Sequence, residues 1–149
     1  GKVHWRSFRK AACVLSSITK SGTTAMKIDY NKSIEPPAPF ISVAVAHPLR
    51  PDSDVQMMAK IDSGADITAL PLTVVQQLNL QANHFLEIAG YDNQIVSLPV
   101  YDSRLTIAHI RVRFEAIAIS ENHAILGRDV LNLLRVLLDG PALALEILE

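Results

Sequence analysis

From Phe40 onward, apolar residues recur at every second position over several stretches. That period most constrains the fold, because it buries one face of a strand and suits no helix. The pattern is clearest where Ile110, Val112, Phe114 and Ala116 alternate with Arg111, Arg113 and Glu115, a strand with one solvent face. Val55, Met57, Ala59 and Ile61 alternate with Gln56, Met58 and Lys60, and this strand delivers the chain directly into Asp62. Phe40 to Ala46 reads as a further strand, and Pro48 to Asp54 as a polar turn.

Pro71 followed by Val74, Val75 and Leu78 predicts a short helix with proline near its first turn. His84 to Ala89 and Gln94 to Val100 flank Gly90-Tyr91-Asp92-Asn93, which predicts a hairpin with turn-forming residues at its tip. Ala124-Ile125-Leu126-Gly127 is an apolar run ending in glycine, and Asp129 to Leu134 suits a second short helix. Arg135 to Leu138 pairs plausibly with Leu143 to Ile147 across Asp139-Gly140-Pro141. The sum is an all-β domain with one or two short helices. At 149 residues, 49% of them hydrophobic, the chain has material for one core and not for two ordinary domains.

Residues 1–38 differ in character. Gly1 to Ala25 carries Lys2, Arg6, Arg9, Lys10 and Lys20 with no acid, and Lys27 to Pro39 is polar and then proline-rich. The expectation is an N-terminal extension, disordered or extended, with a targeting peptide or a start at Met26 as competing readings. The domain proper is placed at 39–149. A net charge of -1 gives no electrostatic case for nucleic acid or an anionic membrane. Lone Cys13 allows no internal disulfide, no Cys/His cluster has zinc spacing, and no apolar run reaches the roughly 20 residues of a membrane span. A reducing, cytoplasmic setting without metal fits those features.

The informative segment is Ile61-Asp62-Ser63-Gly64-Ala65-Asp66, an acid at the end of an apolar strand followed by a hydroxyl, a glycine and a second acid. By itself Asp-Ser-Gly also suits a turn in which Asp62 or Ser63 caps backbone N–H groups. Its context is more specific. Asp62-Ser63-Gly64-Ala65-Asp66 followed by Ile67, Ala69 and Leu70, with Ala124-Ile125-Leu126-Gly127-Arg128-Asp129 downstream, resembles the retropepsins, the single-domain aspartic proteases best known from retroviruses. The two blocks and the hairpin between them occur in the family's order over most of Phe40 to Ile147.

The resemblance implies a closed, barrel-like acid protease fold with a flap hairpin, and it implies roles. Asp62 matches the catalytic aspartate, which shares a lytic water with its symmetry mate. Ser63 matches the hydroxyl that fixes the two catalytic loops across a dimer, and Gly64 lets backbone amides approach the carboxylates. Ala65 and Asp66 match positions that line the cleft and hold substrate backbone. Arg128 matches an arginine that pairs with the second acid, here Asp66, in a structural role expected to be partly buried. Gly90 and Tyr91 fall in the flap, whose tip here is poorer in glycine than that of many viral members.

Hydrolysis by this route needs one carboxylate to take a proton from water and another to protonate or hydrogen-bond the carbonyl oxygen. Two carboxylates about 3 Å apart share a single proton, as in aspartic proteases generally. Asp-Ser-Gly occurs once here, so the second carboxylate is expected from another copy, giving a two-fold homodimer with the C-terminal hairpin at or near its interface. The reading is an endopeptidase for peptide or protein substrates, without cofactor. Its rival is a weakly active or inactive retropepsin-like dimer that serves as a peptide-binding or assembly module.

Other candidates carry less. None of His4, His47, His84, His109 and His123 sits in a nucleophile motif. Gly127-Arg128-Asp129 lacks the Lys-Ser/Thr of a phosphate loop, and Trp5 and Tyr30 make no stacking platform.

Overall fold

In the computed structural model, residues 26–89 and 92–148 are described. The segment 1–25, Glu149, and Gly90 and Tyr91, which the sequence reading assigns to a flap, lie outside them. Ten strands and two short helices follow in the order β1 (Met26–Asp29), β2 (Phe40–His47), β3 (Arg50–Ile61), β4 (Thr68–Pro71), α1 (Leu72–Gln77), β5 (Ala82–Ala89), β6 (Ile95–Ile107), β7 (Ile110–Ile119), β8 (Ala124–Leu126), α2 (Arg128–Leu131), β9 (Arg135–Asp139) and β10 (Ala144–Leu148).

Seven strands form one mixed sheet in the order β2-β3-β8-β4-β7-β6-β5, and a further pairing of β2 with β6 closes it into a ring. The closure is possible because β6 is long: Ile95 to Tyr101 pairs with β5, while Tyr101 to Ile107 pairs with β7 and Arg104 to Thr106 with β2. Inside the ring sits a core that includes Ile41, Val43, Val45, Leu70, Leu105 and Leu126. These are the inward residues of period-two strands, so the alternation in the sequence and the closed barrel-like sheet are one observation.

Three elements depart from expectation. The polar turn foreseen over Pro48 to Asp54 is confined to Pro48 and Leu49, and β3 starts at Arg50. Between the pairs His47 with Arg50 and Ala46 with Asp54 the register shifts, so Pro51, Asp52 and Ser53 form a bulge, a place where proline costs no ladder bond. The second helix begins at Arg128 and ends at Leu131. Three-residue turns donated by Leu133 and Leu134 carry the chain on to β9. Finally, β1 lies ahead of the boundary drawn at Ala38, yet it pairs with β10 from Met26 opposite Ile147 to Asp29 opposite Ala144.

β1 thus joins the C-terminal hairpin in a separate three-stranded sheet, β1-β10-β9. Leu145 and Ile147 of its central strand are fully buried against the main core.

Candidate active site

The site is assembled by two strands that run side by side. β3 and β8 pair in parallel, with Ala59 opposite Ala124 and Ile61 opposite Leu126, so the segments that leave them begin together. One is the Asp62 loop and the other Gly127 with α2. Ile61 N–H donates to the Pro39 carbonyl at 3.0 Å and Asp62 N–H to the Leu126 carbonyl at 3.1 Å, which anchors the loop from both neighbours.

Beyond that anchor the loop turns tightly. Ala65 N–H donates to the Asp62 carbonyl at 3.2 Å, and Gly64 N–H donates to Asp62 Oδ1 at 2.9 Å. A Cβ on Gly64 would stand 3.2 Å from that same oxygen, so glycine keeps the approach to the half-buried carboxylate open. Ser63 is exposed, with its carbonyl accepting a bond from Arg128 Nη1 at 3.1 Å.

Arg128 ties the loop to α2 three ways: its N–H donates to the Ala65 carbonyl at 2.9 Å, its guanidinium holds the Ser63 carbonyl, and it pairs with Asp66. The pair is not partly buried, as the sequence led one to expect. The side chains are 50% exposed for Arg128 and 82% for Asp66. An ion pair so wet is worth about 1 kcal/mol or less. Neither Ala65 nor Asp66 is among the residues that line the larger cavity described below; Asp66 borders a separate hollow of about 470 Å³ with Ile67, Phe114 and Leu133.

Sequence reasoning passed over the hub beneath the loop, in which buried Thr68 and Gly127 are joined to the exposed residue Asp129. Thr68 is fully buried; its hydroxyl donates to Asp129 Oδ1 at 2.7 Å and accepts from Gly127 N–H at 3.0 Å. Asp129 accepts in addition from Thr68 N–H and Val130 N–H, each at 3.0 Å. Gly127 is required for a second reason. A Cβ there would lie 2.7 Å from the carbonyl carbon of Ile67, backbone that has no room to yield. Asp129 had been read as the start of a helix and the end of the downstream block, with no role of its own, and Thr68 was not singled out.

A cavity of about 950 Å³ opens beside Asp62. Its walls come from the lead-in at Asp29, Asn31 and Ile34, from Met58 and Lys60 of β3, and from Glu121 to His123 before β8. The His123 ring packs edge-on to Phe40 with centroids 5.1 Å apart. Among the described residues no group of His, Cys, Asp and Glu is arranged to hold a metal ion. The geometry offers a carboxylate, held by the Gly64 backbone amide, at the edge of a concave surface of ligand-binding size.

No protein-family profile matches the chain, and no curated protein matches it in sequence. Solved structures do match in shape. A retropepsin-like aspartic protease from Rickettsia conorii superposes with a TM-score of 0.58 at 15% identity, covering 85% of this chain and 92% of its own. The EIAV protease in complex with an inhibitor gives 0.52 at 19% identity, covering 70% and 92%. The simian foamy virus protease gives 0.51 at 16% identity, covering 63% and 92%. With a closed mixed sheet, two short helices and these matches over most of its length, the chain has the retropepsin-like aspartic protease fold.

Proposed function

We propose that this chain is the subunit of an aspartic endopeptidase, in which Asp62 from each of two copies meets at a symmetry axis and the pair activates one water against a peptide carbonyl. The observation that carries this reading is the placement of Asp62. It follows β3 directly at the rim of the 950 Å³ cavity, its carboxylate takes the Gly64 amide, and the loop is clamped by Arg128, whose neighbours Gly127 and Asp129 are bonded to Thr68. Such clamping holds a reacting group without reorganisation, which is what positions a general base.

Each chain has a single Asp-Ser-Gly, so one subunit supplies half of the chemistry. In the proposed dimer one carboxylate removes a proton from water while the other, protonated, donates to the carbonyl oxygen. Water adds to the carbonyl carbon to give a diol; the first carboxylate then passes its proton to the nitrogen, and as the C–N bond breaks one hydroxyl of the diol returns a proton to the second carboxylate, leaving a carboxylic acid and an amine. The carboxylates are left sharing one proton again, so the cycle closes without cofactor. The hairpin of β5 and β6 would serve as the flap over an extended peptide.

Incubation of the protein with a peptide library at mildly acidic pH tests this. Cleavage by the wild type that is abolished in Asp62→Asn and blocked by a statine-type transition-state mimic is the expected result. Absence of cleavage by a folded, dimeric wild type would replace the enzyme with a peptide-binding or assembly module.

A further inference from the structure

The face of β3 that meets the cavity carries a cation without a partner. Gln56, Met58 and Lys60 alternate along that face, and all three line the cavity that Asp62 borders. Lys60 is the last side chain of the row before the carboxylate, roughly 7 Å from it along an extended chain.

Across the sheet its neighbours are apolar. Phe40 of β2 stands opposite Lys60 on one side and Ile125 of β8 on the other, and both line the same cavity. Phe40 is buried, while Ile125 and Lys60 itself are half-buried. The Lys60 ammonium meets no carboxylate within ion-pair distance among the described residues, Asp62 included. It has given up part of its hydration between two apolar side chains and received no counter-charge in return. An anion entering the cavity gains most beside it.

We propose that Lys60 determines specificity by selecting peptides that carry one acidic side chain, aspartate or glutamate, within about two residues of the scissile bond. The peptide carboxylate pairs with the Lys60 ammonium, and the apolar residues around it lie against Phe40, Met58 and Ile125. This rests on the endopeptidase reading above and adds the class of substrate to it. In a two-fold pair each copy brings one Lys60, so the preference appears on both sides of the bond that is cut. Asp29 and Glu121, exposed residues that line the same cavity, disfavour a peptide that is acidic throughout. The selected feature is therefore a single acid in apolar surroundings.

The test uses the full chain carrying Asp62→Asn, so that peptide is bound and not consumed. It is titrated into rhodamine-labelled octapeptides of randomised Ala, Ser, Val and Leu, in which a single Glu, or in the control set a single Gln, is placed at each position in turn. At about pH 6, where a free glutamate side chain is ionised, the Glu set should bind roughly tenfold more tightly at the favoured positions. That ratio should fall to near one when Lys60→Met is added, persist with Lys60→Arg, and shrink as salt is raised. Lys60→Gln repeats the comparison if melting shows that Lys60→Met does not fold.

Equal binding of the two sets, or none, would overturn the inference and leave the lysine stem as a cover for the cavity floor. A Glu preference that survives the loss of the Lys60 charge would overturn it as well. Cleavage by the wild type separates this from the reading beneath it. If peptides are cut with no acid enriched beside the cut bond, the inference fails and the endopeptidase stands. If nothing is cut while the Lys60-dependent preference in binding persists, the enzyme fails and the selectivity belongs to a peptide-binding module.

Discussion

The loop that carries Asp62 and the hairpin of β5 and β6 sit in the same closed sheet, yet they are built to opposite specifications. Beneath the loop, buried Thr68 and Gly127 are joined to the carboxylate of Asp129, a residue open to solvent, in a set in which every hydroxyl and carboxylate oxygen is used. The outer half of the hairpin is open on both faces, with Phe85 65% and Ile95 68% exposed. Strands paired edge to edge with neither face packed are the cheapest part of a fold to move. In the proposed enzyme the contrast would separate a part that holds a carboxylate still from a part that opens for a peptide to enter.

Substitutions at the hub and the hairpin should therefore differ sharply in effect. The largest loss is expected for Gly127→Ala, because its new methyl would meet the Ile67 backbone. About 3 kcal/mol of stability should disappear in a urea melt, and a loss below a third of that would show that α2 is free to shift. Thr68→Val keeps the shape and removes the hydroxyl, leaving a buried Gly127 N–H without an acceptor. A cost of roughly 2 kcal/mol is expected by the same measurement.

Smaller still is the contribution of the Asp102–Arg113 pair, which links β6 to β7 at the base of the hairpin. The hydrogen bond from Arg113 holds the Asp102 carboxyl below its ordinary range, its attraction to the same charge adding to this while burial opposes it. A depressed folded value means that the stabilisation is fully present above the unfolded value near 4 and is lost as pH falls through the folded one. Melting of wild type and Asp102→Asn should thus differ most at neutral pH and converge at the acid end; a gap that widens on acidification would reverse the assignment. At the far end, Ile95→Ser on the hairpin should change stability by no more than about 0.5 kcal/mol. A larger drop would mean that the hairpin packs against something in solution and would blur the contrast.

How much of this could be read in the sequence follows from the range of each interaction. Strand period was legible because it is local: Ile110 to Ala116 and Val55 to Ile61 fold as they read. β1 was not, although Met26 and Ile28 alternate with Lys27 and Asp29, because four residues are too short a pattern against polar and proline-rich neighbours. The start of β3 was hidden by Pro51, which ordinarily argues against a strand and is tolerated here in a bulge. The lower half of β6 was missed because buried Ser103 interrupts its apolar alternation; its hydroxyl has no partner in the structure.

Near the cavity, the position of Asp62 directly after β3 was legible from an acid at the end of an apolar strand. The Thr68–Asp129 bond was not, because it joins residues 61 apart that meet only once β3 and β8 lie parallel. The exposure of the Asp66–Arg128 pair was likewise invisible, since a sequence pairs charges without saying which way they face.

The central claim is that two copies of Asp62 make one site. It is tested most directly by adding Asp62→Asn subunits to a fixed amount of wild type, allowing exchange, and following peptide cleavage. If each site draws one carboxylate from each chain, an equal amount of the variant should cut the activity to about half, and excess should silence it. Activity that stays level however much variant is added would show that one chain suffices and would contradict the account.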